Sequence, residues 1–327
     1  MKGKVGLEEH FAIEDTLNDS KGFLPDDVWP ELRGRLIDIH DRRIAEMDRH
    51  GVEMMVLSLN APAIQAMPDP ARASEVARRA NDFLAEQVSK RPDRFQALAA
   101  LPMQDPELAA KELTRCVKEL RFKGALVNGF SQLHDPDSML YYDLPQYWDF
   151  WQVVEGLDVP FYLHPRNPLP SQARIYEGHR WLLGPAWAFG QETAVHALRL
   201  MGSGLFDKYP RLAIVLGHMG EGLPFGMWRV DHCNGWVKGR HAYPAKKLIA
   251  DYFHANFHIT VSGNFCTPAL LNAMLELGSD RILFSTDWPF ENVDQAAEWF
   301  DVAPISEADR LKIGRTNAIR LFKLDLT

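Results

Sequence analysis

Cysteine is scarce in this chain: Cys116, Cys233 and Cys266 stand far apart and form no CxxC pair. That spacing excludes a disulfide framework and a zinc-thiolate site, and it suits a reducing, cytoplasmic compartment. Long apolar runs are missing too, none approaching the roughly 20 residues that span a bilayer, so no membrane partner is expected. Met1 to Gly6 passes straight into a polar, acidic stretch without the apolar centre of a secretion signal. Blocks of like charge are absent, and 36 Lys plus Arg against 44 Asp plus Glu give a formal net charge of −8. A nucleic-acid partner is therefore not expected. No internal repeat or low-complexity tract breaks the chain.

What is present is an ordinary globular composition, 46% apolar and 24% charged over 327 residues, enough for one large core and one domain spanning residues 1–327. Short apolar runs bounded by turn residues recur at Lys4 to His10, Val52 to Leu59, Phe95 to Leu101, Gly124 to Gly129, Pro160 to His164, Leu212 to Gly217, Phe257 to Ser262 and Ile282 to Asp287. Most lack polar alternation, the pattern of parallel strands covered on both faces. Helical patterns lie between them. Asp69 before Pro70 and Asp105 before Pro106 read as N-caps, and Ala109, Leu113, Cys116, Val117 and Leu120 form an apolar stripe. This alternation predicts an α/β fold, a (β/α)₈ TIM barrel, in preference to a doubly wound open sheet with the same local signal. Residues 11–51 and the Pro-, Gly- and Trp-rich stretch 165–190 interrupt the rhythm as loop insertions after strand C-termini, the C-terminal face of such a barrel.

Chemistry-bearing side chains gather at those strand ends. Glu8 and His10 are two apart, so a strand's period points them to one side and Glu9 to the other. His164, His218 and Asp287 each stand where an apolar run stops. Singly, each reads as a hydrogen-bonded core histidine or a turn residue. Together, imidazoles and carboxylates at one rim of one barrel converge on a point, which is the geometry of a metal site. The other nine histidines, among them His50 and His196, are assigned no role. The run Gly217, Gly220 and Gly222 fits neither dinucleotide nor P-loop spacing.

Strand-end ligands on strands one, five and eight, with a histidine after six, resemble the amidohydrolase superfamily. The segments GLEEHFAI, LNAPA, VNGFSQ, FYLHPRNPLP, LGHMGEGLPFGMWR and LFSTDWPFEN make the chain similar to its decarboxylase branch along nearly its whole length. Two departures from the wider superfamily are informative: Glu8 replaces the first histidine of His-x-His, and strand four ends in Asn128 where a metal-bridging carboxylated lysine is usual. The resemblance therefore implies one divalent metal per chain, with ligands Glu8, His10, His164 and Asp287. It also implies that Asp287 delivers a proton, that His218 and Glu221 are its hydrogen-bonded partners, and that Arg229 contacts substrate oxygens. Asn128, Phe23 and Phe290 are expected at the substrate. On their own, Glu221 suits a helix N-terminus, Arg229 a surface ion pair, and Phe23, Trp187 and Phe290 plain core.

The implied activity is non-oxidative decarboxylation of a small aromatic carboxylate. 2,6-Dihydroxybenzoate is expected ahead of 2,3-dihydroxybenzoate, salicylate and 5-carboxyvanillate. Expelling carbon dioxide directly would leave an unstabilised ring anion, so protonation of the ring carbon comes first, helped by ortho hydroxyls. Two imidazoles and two carboxylates suit Mn²⁺ or Zn²⁺, and the resemblance favours Mn²⁺. Hydrolysis of a lactone or amide through metal-activated water is the enzymatic alternative, and a non-catalytic metal-binding scaffold the other. The resemblance further implies a homo-oligomer, a tetramer, with 165–190 as contact surface or lid.

Overall fold

The computed structural model describes residues 1–23, 26–236 and 243–326, with the side chain of Phe23 outside the described set. The apolar runs form parallel strands β1 (Lys4–Phe11), β2 (Val52–Leu59), β3 (Phe95–Ala97), β4 (Ala125–Asn128), β5 (Phe161–His164), β6 (Ile214–Leu216), β7 (Phe257–Thr260) and β8 (Ile282–Leu283). Strands β1 to β3 form one hydrogen-bonded arc and β4 to β8 another, both in sequence order. A bridge from Ala99 to Ala125 joins β3 to β4, and His10 N–H donates to the Trp288 carbonyl at 2.5 Å where β8 meets β1. A doubly wound sheet reverses its strand order at a switch point, and this order never reverses. The fold is a (β/α)₈ barrel.

Several ladders stop earlier than the apolar runs do. The run to Leu101 pairs regularly only to Ala97, and that to Asp287 only to Leu283. At those ends the backbone turns out of the ladder, which carries Asp287 over the barrel mouth. An antiparallel hairpin, Ser131–Leu133 with Asp135–Leu140, follows β4. Its polar sequence gave no strand signal. Asp69 accepts from the Ala71 and Arg72 amides, and Asp105 from Glu107 and Leu108, as N-caps worth about 1 kcal/mol each. In helix Pro106–Lys118, Ala109, Leu113 and Cys116 are fully buried and Val117 packs only partly, while Leu120 falls past the helix end and is also partly buried. Glu112 is buried there too, ion-paired to Arg115 at 2.7 Å.

Alternate residues of each strand fill the barrel interior. Val5, Leu7, Met54, Val56, Leu98, Leu126, Tyr162, Val215 and Leu283 pack into one cluster, closed from below by Ala318, Phe322 and Leu324. The larger cluster lies between the strands and the surrounding helices. In β1 the alternation changes phase: Gly6 pairs with Met55 but Glu9 with Leu57, so three steps on β1 oppose two on β2. This irregularity lets Val5 and Leu7 point inward and Glu8 and His10 point inward as well.

Candidate functional site

Glu8, His10, His164 and Asp287 meet at the barrel mouth, all buried, with one potential ligand atom from each lying within 4.8 Å of the others. His164 Nε2 is 3.1 Å from Glu8 Oε1, and His10 Nε2 is 3.5 Å from Asp287 Oδ1. Donors at about 2.1 Å from a common ion stand about 3.0–3.5 Å apart, so these spacings fit one divalent cation. Glu8 Oε1 and His10 Nε2 are buried with no hydrogen-bond partner. Buried polar atoms are seldom left so, and these two face the point where a cation sits. Among the described residues none stands ready to bridge a second metal, since strand β4 ends in Asn128, level with His164 in register.

The surroundings aim the ligands. Ser58 Oγ lies 3.2 Å from His10 Nδ1, which leaves Nε2 for the metal. Tyr162 donates its phenol hydrogen to Glu8 Oε2 and lies 2.9 Å from Thr260 Oγ1. Glu9, pointing away from the interior, accepts from the Thr286 amide at 2.9 Å and the Trp288 amide at 3.2 Å, and so clamps the segment that carries Asp287. Two glycines make room: a Cβ on Gly217 would lie 2.7 Å from Glu8 Oε2, and one on Gly263 would lie 3.0 Å from Asp287 Oδ2. His218, Glu221 and Asp287 adopt φ of +47°, +55° and +65°, a left-handed backbone that non-glycine residues hold only where the surroundings impose it. Glu9, Tyr162, Gly217 and Thr286 lie inside the family-like segments, but the sequence assigns none of them a supporting role. The strand period places Tyr162 two residues below His164, a signal that was available.

Beside the ligands, His218 Nε2 stands 3.6 Å from both Asp287 Oδ2 and Glu8 Oε1, and its Nδ1 is 2.8 Å from Glu221 Oε1. Burial works against charging the imidazole, but the carboxylates of Glu221, Glu8 and Asp287 outweigh it and raise the His218 pKa well above 6.5. Asp287 is held below the usual carboxylate range, burial being outweighed by His10 and His218. Glu8 is depressed likewise, burial being overcome by His218, His164 and His10. Burial lowers the His164 pKa below the usual imidazole value, outweighing its pairing with Glu8. Within this group His218 is the side chain whose surroundings favour a proton, with Asp287 as its carboxylate neighbour.

The remaining expected residues divide. Phe290 packs edge-on to His10, ring centroids 5.6 Å apart, and walls the site. Asn128 is buried, its Nδ2 tied to the Asn60 carbonyl at 3.0 Å and its Oδ1 without a partner. Trp187 lines a cavity of about 500 Å³ shared with His218 and Glu221. Phe23 cannot be placed, its side chain lying outside the described residues. Arg229 is not among the residues lining that cavity. It is exposed on helix Leu223–Gly235, whose residues Phe225, Gly226 and Val230 do line it. Helical spacing sets it beside Phe225 and Gly226 on the side of the helix opposite the buried Leu223 and Met227.

A family model described as amidohydrolase matches residues 23–324. The chain is 70% identical over 325 residues to a gamma-resorcylate decarboxylase of Polaromonas sp. (strain JS666), covering 99% of this chain and 100% of that protein. Among solved structures it is similar to a dihydroxybenzoic acid decarboxylase from Polaromonas sp. JS666 with bound manganese and the inhibitor 2-nitroresorcinol, at 70% identity and a TM-score of 0.98, covering 100% of this chain and 98% of that one. It is also similar to a 2,6-dihydroxybenzoate decarboxylase complexed with 2,6-dihydroxybenzoate, at 68% identity and a TM-score of 0.98, covering 99% and 100%.

Proposed function

The chain belongs to the amidohydrolase family, and we propose that it is a manganese-dependent carboxy-lyase that converts 2,6-dihydroxybenzoate to resorcinol and carbon dioxide, reversibly. The observation that carries this reading is the buried set Glu8, His10, His164 and Asp287 with the His218–Glu221 pair set against Asp287. Relatives with the same activity over the full chain support it.

Glu8, His10, His164 and Asp287 hold the metal. When bound, it supplies a fixed positive charge that orients the substrate's carboxylate and ortho oxygen and stabilises developing negative charge. Asp287 takes the proton held on His218 and delivers it to the ring carbon that bears the carboxylate. The bond from that carbon to the carboxylate then breaks, its electron pair returns to the ring, and carbon dioxide leaves. His218 regains a proton from solvent before the next turnover, and Glu221 holds the imidazole in position through Nδ1. Phe290 and Trp187 wall the ring, and the buried Asn128 amide offers Oδ1 to a substrate hydroxyl. Because protonation comes before carbon–carbon cleavage, no free aryl anion forms.

The protein acts as a cytoplasmic homo-oligomer, a tetramer, in the same reading. Phe225 and Trp228 on helix Leu223–Gly235 and Trp236 just past its end are exposed, as are Trp181 and Ile175 on the 165–190 insertion. Apolar surface of that extent is what a subunit contact covers. Arg229 is exposed on the same helix, so its substrate contact is made across the interface, to a neighbouring copy's site. The unpaired state of Cys116, Cys233 and Cys266 suits a reducing compartment.

The deciding experiment incubates the manganese-loaded protein with 2,6-dihydroxybenzoate, 2,3-dihydroxybenzoate, salicylate and 5-carboxyvanillate while following carbon dioxide release. Fastest release from the first is expected. Turnover of none of them, or water uptake without carbon dioxide, sinks the reading.

A further inference from the structure

At the end of the barrel opposite the metal ligands lies a second cavity of about 440 Å³, bounded by the starts of β5, β6 and β7 at Pro160, Ala213 and His258. Four cationic side chains face it, Arg211, Arg281, Arg320 and Lys323, against three carboxylates, Glu155, Asp158 and Asp280. Each carboxylate is already engaged. Glu155 lies 3.5 Å from Arg211, Asp158 pairs with Lys323, and Asp280 lies 3.0 Å from Lys312. Arg281 and Arg320 are left with no carboxylate at salt-bridge distance among the described residues.

Their hydrogen bonds go to neutral groups. Arg320 donates to the Asp280 carbonyl at 3.1 Å and to Asn317 Oδ1 at 3.2 Å. Arg281 lies 2.9 Å from His258 Nε2. A guanidinium only donates, so His258 Nε2 is the acceptor and the ring's proton sits on Nδ1. That Nδ1 is buried and has no partner. The charge is only partly offset: burial and the Arg320 charge lower the Arg281 pKa more than the neighbouring Asp280 raises it, while burial, Arg281 and Arg320 hold His258 near 3. In a chain of net charge −8, this is a local excess of positive charge, not part of a basic surface.

We propose that this cavity binds a small oxyanion of the phosphate or bicarbonate type between the guanidiniums of Arg281 and Arg320. Planar guanidiniums present paired N–H donors that match the oxygens of such an anion. Its charge adds to the partial compensation that Asp280, itself paired with Lys312, gives Arg281. The cavity has room for an ion of this size and lies at the far end of the barrel from the metal.

The test titrates the manganese-loaded full chain with sodium phosphate at constant ionic strength, by calorimetry and thermal unfolding, with bicarbonate in a parallel arm. Arg320 is exposed on the C-terminal helix Asn317–Phe322, so substituting it leaves the core untouched. Saturable binding with a rise in Tm is expected, weakened about tenfold or more by Arg320→Ala and abolished by Arg320→Glu, as loss of a charged hydrogen bond implies. His164→Ala, altered at the other end of the barrel, is expected to keep the binding. Bicarbonate binding that depends on Arg320 assigns the ion to the reaction's own hydrated product, and phosphate binding alone assigns it to free phosphate. Equal binding by wild type and Arg320→Glu, an effect no larger than that of chloride, or loss of binding in His164→Ala overturns the proposal.

Discussion

The Tyr162 phenol donates its hydrogen to Oε2 of Glu8 and thereby leaves Oε1 as the carboxylate oxygen free for a cation. Removing that hydroxyl frees Glu8 to rotate and leaves Oε2 buried with only a long contact to Thr260, 3.3 Å away. Tyr162→Phe should weaken manganese binding by about 10- to 100-fold, the usual cost of losing a partner that orients a ligand. Competition with a chelator measures it, and unchanged affinity would mean that Thr260 alone holds the carboxylate.

Gly217 and Gly222 separate space from backbone conformation. A Cβ at Gly217 meets both Glu8 oxygens, at 2.7 and 3.0 Å, whereas one at Gly222 meets nothing within 4 Å but sits on a φ of +75°. Gly217→Ala should therefore lose metal, as read by elemental analysis of the purified protein. Gly222→Ala should keep its metal and lose about 1 kcal/mol of stability from the left-handed backbone. Equal metal content in the two variants would contradict this assignment.

Asp287→Asn should retain a metal ion on Glu8, His10 and His164 while kcat falls by about 10²- to 10⁴-fold, the range for a lost general acid. Near-wild-type turnover with full metal content would remove Asp287 as the donor.

A contact made in trans can be detected by mixing. Arg229→Ala and Asp287→Asn subunits, each inactive alone, should regain turnover when co-assembled, since some sites then combine an intact Asp287 with a partner's intact arginine. No recovery in verified hybrids would place Arg229 in its own chain's site or outside catalysis.

His196 sets part of the acid limit of stability. It is buried, its Nε2 accepts from the Tyr142 amide at 3.1 Å, and burial with help from Arg199 lowers its pKa to about 3. Between that value and the ordinary 6.5, the unfolded chain binds a proton that the folded chain refuses. Stability then rises with pH across this window and is lost on acidification, at roughly 1.4 kcal/mol per pH unit. Urea unfolding of wild type and His196→Gln should diverge in slope below about pH 6.5, with the variant flatter. Parallel slopes would show that His196 is protonated in the folded state.

The sequence by itself determined the barrel, the strands and the positions where ligands emerge. Apolar runs without alternation bury both strand faces, and a side chain at the end of such a run must face the mouth. Glu8, His10, His164 and Asp287 were legible on that ground. The phase change in β1 was not, because a register irregularity depends on what β2 offers across the ladder. Nor was the task of Gly217, whose missing side chain matters only because Glu8, 209 residues earlier, occupies that space. Arg229 shows the same limit from the other side: its motif matched, but which way a helix turns a residue depends on what the helix packs against. Strand period and burial are local properties of the chain. Register, close approach and partnership between distant side chains are fixed only when the barrel closes.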